Sequence, residues 1–185
     1  MIQRQFFSAA GLAAALILLA NPAAAKGKST IEKSGKIVAI ALPVVAAGIS
    51  AAKSDWNGVA QVTLVTTLTL GTAYGLKHFI HEKRPDGSDD KSFPSDTAAL
   101  AFAPATYLWH RYGWEYGVPA YAAAAYVGYS RVHAKKHHWY DVAASAGIAL
   151  GYDLLITRRY HKPQNFYTGV YATPHSAYVS MNYTW

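Results

Sequence analysis

The chain has 185 residues, 52% of them hydrophobic and 15% charged, with no cysteine and a formal net charge of +7. That is one domain's length. A charged fraction well under the ~25% of soluble domains points to a membrane-embedded protein or a very apolar interior. Without cysteine there is no disulfide framework and no thiolate metal site. The positive charge suits anionic lipid or a phosphorylated substrate. Nucleic acid is set aside, because the basic residues form no stripe and carry no module signature.

Residues 1–25 read as an export signal: Arg4 supplies the positive start, residues 9–20 are apolar, and Asn21-Pro22 breaks the run before Ala23-Ala24-Ala25. Small residues at the last and third-last positions suit cleavage after Ala25. An uncleaved first transmembrane helix is the alternative, and the run is short for a span of about 20 residues. Residues 26–36 form a polar, Lys-rich lead-in, and five apolar stretches follow at 37–52, 59–76, 97–109, 118–129 and 142–157. Their alanine content, length and lack of alternation predict helices that are apolar nearly all round, buried in a bundle or in lipid. Trp109, Tyr112, Trp114 and Tyr116 cluster as interfacial aromatics do. Asp153, inside the last stretch, is either a buried partner for a polar group or the mark of a water-accessible face. Beyond the helical domain of residues 26–162, the tail of 163–185 alternates loosely around Thr173-Pro174-His175-Ser176 and predicts a β-hairpin. The expected fold is therefore an all-α compact bundle of about five apolar helices after a signal peptide, with a short hairpin-like tail. The expected location is the cell envelope: the inner membrane with a periplasm-facing site, or alternatively the soluble periplasm.

Three segments hold the polar residues that carry chemistry: Lys77 to Arg84-Pro85, Ser92 to Thr97, and Ser130-Arg131 to Asp141. In an up-and-down bundle all three fall at one end, where Lys77, Arg84 and Arg131 can meet a single anion. His137 and Asp141 are four apart and share a helix face. A carboxylate bonded to one ring nitrogen would fix the tautomer and leave the other free to attack. Ser95 stands at a helix N-terminus, which favours an anion.

These residues resemble the three-part signature of the type 2 phosphatidic acid phosphatase and vanadium haloperoxidase superfamily: K-x6-R-P, then P-S-G-H, then S-R-x5-H-x3-D. Lys77 with Arg84-Pro85 matches the first part, and Ser130-Arg131, His137 and Asp141 match the third. The resemblance implies a helical fold and a phosphatase using no metal or other cofactor. His137 would be the nucleophile that forms a phosphohistidine, Asp141 its orienting partner, and Lys77, Arg84, Arg131 and Ser95 the phosphate ligands. The middle part departs from the pattern: Pro94-Ser95 is followed by Asp96 and Thr97 where the family has Gly and His. That histidine is the family's general acid.

Asp96 therefore has two readings. It is a helix N-cap, or it is the catalytic acid, protonated when phosphate is bound. An ionised Asp96 would repel the phosphate by a few kcal/mol, at an effective dielectric of about 20. His78, His81, His133 or His138 could supply the proton instead, although each also reads as a solvated loop residue. The His137-His138 pair invites a metal, but no further ligands at metal-site spacing accompany it. The expected activity is hydrolysis of a phosphomonoester or diphosphate, of a lipid or another phosphate ester. Phosphoryl transfer, haloperoxidase chemistry and non-catalytic phosphate or lipid binding are the alternatives. The sequence fixes no oligomeric state.

Overall fold

The computed structural model describes residues 28–161 and 166–183. The expected signal peptide lies outside them. Five helices form the domain: α1 (Lys28–Ala52), α2 (Trp56–Phe79), α3 (Asp96–Tyr112), α4 (Trp114–His133) and α5 (Trp139–Ile156). A hairpin of β1 (Phe166–Thr173) and β2 (Ser176–Tyr183) follows. All five expected helices and the hairpin are present. The Lys-rich lead-in is the exception, because from Lys28 onward it is the first part of α1 and not a separate segment. Its Glu32 and Lys36 sit one turn apart, 2.9 Å between charges, on the helix surface.

Local chemistry sets the helix boundaries. Asp55 caps α2 by accepting from the Gly58 N–H at 2.9 Å, and Ser95 caps α3 by accepting from the Ala98 N–H at 3.3 Å. Gly113 separates α3 from α4 at φ +93°, a conformation costly to any residue with a Cβ. The chain reverses there within a single residue.

The middle helix, α3, packs against all four others. Ala98, Ala99, Ala101, Ala103 and Ala105 are fully buried along it, and small side chains let neighbouring backbones approach. Val38 and Leu42 of α1, Val62 of α2 and Val127 of α4 fill the remaining space. Where α1 crosses α4, a Cβ on Gly35 would collide with the Ser130 hydroxyl. That close crossing brings Glu32 of α1 up to Arg131.

The outer faces are apolar too. Ile37, Ile40 and Val44 on α1, Leu64 and Leu68 on α2, and Leu150, Leu154 and Leu155 on α5 are exposed. Two helices, over Thr30–Ala52 and Trp56–Phe79, are long and apolar enough to cross a membrane. Asp153 is buried instead of facing water, with Oδ2 3.2 Å from His110 Nδ1. Of its two readings, the buried partner is the one observed.

Candidate active site

The up-and-down arrangement carries Lys77, in the last turn of α2, to the same end as Ser95 and Asp96 at the start of α3. Arg131, in the last turn of α4, and the α4–α5 connection with His137 join them there. Arg84 comes from the α2–α3 loop, whose backbone is tied to the α4–α5 connection by the Asp86 N–H bond to the Lys135 carbonyl, 3.0 Å. Lys77, Ser95, Arg131, His137 and Asp141 are all buried. Buried charge outside a paired network is rare in a protein interior, so this end of the bundle is built for polar chemistry.

His137 is 1% exposed. Its Nδ1 lies 2.7 Å from the Ser92 carbonyl, which can only accept, so the ring proton sits on Nδ1. Nε2 keeps its lone pair, and Asp96 Oδ1 stands 3.9 Å from it. Burial comes first, and the charges of Lys77, Arg131 and Arg84 add to it, in pushing the His137 ring down to about pKa 4. A neutral imidazole with a lone pair on Nε2 is thus held among three cations.

Asp141 does not hold the His137 ring as the four-residue spacing suggests. Its Oδ2 is 3.6 Å from Nδ1, and it accepts instead from the Ser92 hydroxyl (2.5 Å) and the His138 N–H (2.8 Å). The reason is local: His138 is the N-cap of α5 and Asp141 its third residue, so the carboxylate turns back to cap its own helix. Asp96 is likewise not the cap of α3. Ser95 is, and Asp96 occupies the first turn with its carboxylate facing His137 and its charge the strongest of those acting on Lys77.

The cations are held by internal partners. Lys77 Nζ donates to the Lys91 carbonyl (2.8 Å), Arg84 Nε to Asp89 (2.6 Å), and Arg131 Nη1 to Glu32 (3.4 Å). Arg131 Nε is buried without a hydrogen-bond partner among the described residues, as is Asp141 Oδ1. The Ser95 hydroxyl accepts as a cap and retains its own proton to donate.

Of the other candidate histidines, His138 alone borders the site, its Nδ1 3.5 Å from Asp141 Oδ2. His78 and His81 are exposed, His133 stacks on Tyr129, and His138 stacks on Tyr140. His138, Glu82 and Asp141 have ligand atoms within 4.8 Å of one another, a grouping the sequence did not reveal because Glu82 is remote in the chain. These donors have other duties: Glu82 accepts from the Tyr140 hydroxyl and Asp141 Oδ2 from two donors. His137 borders that group through Asp141 Oδ2, 3.6 Å from its Nδ1, and turns Nε2 the other way, toward Asp96. Sequence reasoning also missed Ser92 and Glu32, which touch His137 and Arg131 from positions with no motif spacing to mark them.

A family model described as the PAP2 superfamily matches residues 58–165. The chain belongs to the PAP2 superfamily. It is 32% identical over 152 residues, 76% of either chain, to the lipid A 4'-phosphatase of Helicobacter pylori. It is 36% identical over 78 residues, 40% of this chain and 17% of the relative, to the lipid A 1-phosphatase of Porphyromonas gingivalis. The crystal structure of Aquifex aeolicus LpxE shares the fold, with a TM-score of 0.56 at 22% identity over 84% of this chain and 98% of that one. The class these named relatives represent is the phosphoric-ester hydrolases.

Proposed function

We propose that this protein is a lipid phosphatase that removes a phosphoryl group from a lipid A-type phosphate ester through phospho-His137. The observation that carries the mechanism is the buried His137 ring, with Nδ1 protonated toward a carbonyl and Nε2 free among Lys77, Arg84 and Arg131. The lipid A class comes from the two named relatives. Exposed aromatic side chains beside the site support a lipid-borne substrate: Phe79, Trp139 and Tyr140 are 82%, 60% and 51% exposed.

In this mechanism Lys77, Arg84, Arg131 and the Ser95 hydroxyl hold the phosphate oxygens. The unpartnered N–H of Arg131 gains its missing acceptor. His137 Nε2 attacks phosphorus and the P–O bond to the lipid breaks. Asp96, in its protonated form, gives its proton to the departing alkoxide. Water then attacks the phosphohistidine, returning a proton to Asp96 as the P–N bond breaks and the neutral ring is restored. The scheme uses no metal. The apolar outer faces of α1, α2 and α5 support a membrane location, and in this reading the site faces the periplasm.

The test is a panel of phosphorylated lipids, lipid A included, incubated with wild type and His137→Ala in detergent micelles. Phosphate release from lipid A and an acid-labile label on wild type, both lost in His137→Ala, are expected. Binding without release would instead make the chain a phosphate- or lipid-binding member of the superfamily, the reading that Thr97 in place of the family histidine favours.

A further inference from the structure

The end of the bundle away from His137 carries a surface of its own. Trp56 at the start of α2, Trp109 near the end of α3 and Trp114 at the start of α4 all lie at that end, and all are exposed. Trp56 and Phe79 close the two ends of α2. At 1.5 Å per residue they are about 35 Å apart, between the ~30 Å hydrocarbon core and the ~40–45 Å of a whole bilayer.

The chain leaves α5 at this end and is fastened to it. The Arg158 N–H donates to Gln61 (3.1 Å), the Arg158 carbonyl accepts from Arg111 (2.5 Å), and the Tyr160 N–H donates to the Arg111 carbonyl (2.9 Å). Phe166, where β1 begins, is six residues beyond Tyr160. At no more than ~3.6 Å per residue, β1 starts within about 22 Å of Tyr160, in reach of the tryptophans. Residues 166–183 include no Asp, Glu, Lys or Arg. Val170 pairs with Val179 on one face of the hairpin and Tyr171 with Tyr178 on the other, all four between 62% and 73% exposed. A lone hairpin is marginal in water, and soluble edge strands carry charge that keeps partners off. This one has neither cover nor charge.

We propose that the C-terminal hairpin is a membrane-surface anchor, lying in the headgroup layer of the leaflet opposite the site, with the exposed Arg158 and Arg159 against anionic headgroups. This rests on the membrane location proposed above and not on the chemistry at His137. The hairpin cannot enter the hydrocarbon, because each strand has one edge of unpaired N–H and C=O groups. The headgroup layer supplies water to those edges and apolar contact to the Val and Tyr side chains on both faces, and tyrosine is enriched at that depth. The two arginines add an attraction to anionic lipid that salt screens. A second copy pairing along the free edges would satisfy the backbone as well. It would leave an uncharged four-stranded sheet with both faces still bare, so the lipid surface is the better fit.

The test uses the full chain in phosphatidylcholine vesicles with and without phosphatidylglycerol. The chain has no cysteine, so Ala177→Cys, at an exposed position of β2, takes a single polarity-sensitive fluorophore. Its emission should shift to the blue on reconstitution. It should be quenched more by a lipid carrying its quencher near the headgroup than by one carrying it at the chain end. Adding Arg158→Gln/Arg159→Gln should reduce the shift in the anionic vesicles only, and high salt should reduce it there without those substitutions. Adding Val170→Ser/Val179→Ser should weaken the quenching in both kinds of vesicle. Turnover of a phosphorylated lipid should stay at the wild-type level throughout, because His137 is at the other end of the helices.

A label that stays unshifted and unquenched, in a chain that resists carbonate extraction, would overturn the proposal. So would efficient thiol cross-linking of Ala177→Cys between copies without quenching, which would make the hairpin an interface between copies. Failure of the membrane location is separate, since carbonate would then strip the whole chain from the vesicles and both readings would fall together.

Discussion

Arg111 and Asp55 meet through two hydrogen bonds of 2.5 Å, Nε to Oδ2 and Nη2 to Oδ1, at the end of the bundle away from His137. Both are 6% exposed, and Tyr112 adds a third bond to the carboxylate at 2.7 Å. The guanidinium also donates to Gln61 and to the Arg158 carbonyl, so one cluster ties α1, α2, α3 and the chain beyond α5 together.

Removing one member of such a pair leaves the other charge buried and unpaired. Asp55→Ala should therefore cost about 3–5 kcal/mol, and it also removes the cap of α2. Thermal unfolding in detergent would show the lowered midpoint. Turnover per folded molecule should stay near wild type, because the site lies at the opposite end of the helices. A selective loss of turnover at unchanged Tm would contradict this division of labour.

A second prediction concerns pH. His137 titrates near 4, and an unfolded histidine titrates near 6.5. Between those values the unfolded chain binds a proton that the folded chain does not, so this group's contribution to stability falls as pH drops from 6.5 through 4. Unfolding midpoints measured from pH 7 to 4 should decline in wild type and decline less steeply in His137→Asn. An equal decline in both would place the acid sensitivity elsewhere.

The bundle was legible because each helix is a long apolar stretch closed by charge, Gly or Pro, and because alternation brings three motif segments to one end. The first turns of α1 were not, since Lys28 to Lys36 has no apolar periodicity, and its contacts with α4, at Ser34–Tyr126, Glu32–Arg131 and Gly35–Ser130, carry no sequence signal. Residue types and spacing anticipated that His137, Arg131 and Lys77 meet at one end of the bundle, but not which partner each one takes. The His137–Asp141 spacing places the two on one face, yet the α5 cap and the Ser92 hydroxyl claim the carboxylate first. Asp55 and Arg111 carry no spacing signal at all, being 56 positions apart.

Asp96 is open to a leaving-group test. Its carboxylate faces His137 Nε2 at 3.9 Å, on the side where a phosphate would sit. As general acid it should matter in proportion to the basicity of the departing oxygen. Asp96→Asn should lower kcat on a lipid phosphomonoester by ~10²–10⁴-fold, and far less on p-nitrophenyl phosphate, whose leaving group needs no proton. Equal losses on both substrates would make Asp96 a structural residue. Thr97→His in the Asp96→Asn background restores the family's residue at that position and should recover part of the lipid activity.

Arg131 offers the most direct reading of anion binding, because it can be measured without turnover. Its Nε–H is buried and unpartnered while Nη1 leans on Glu32 at 3.4 Å, so the fork is ordered but incompletely used. An anion that supplies the missing acceptor binds the folded state alone and should raise its stability. At 100 times its Kd, inorganic phosphate or orthovanadate would add about 2.7 kcal/mol. The shift in unfolding midpoint should be large in wild type. In Arg131→Lys, where an ammonium cannot present two parallel donors, the concentration needed for the same shift should rise ~10-fold or more, since a charge-assisted bond contributes about 1.5–3 kcal/mol. Glu32→Gln removes a competitor for the same guanidinium and should lower that concentration. If Arg131→Lys responded to phosphate as wild type does, Arg131 would not be an anion ligand.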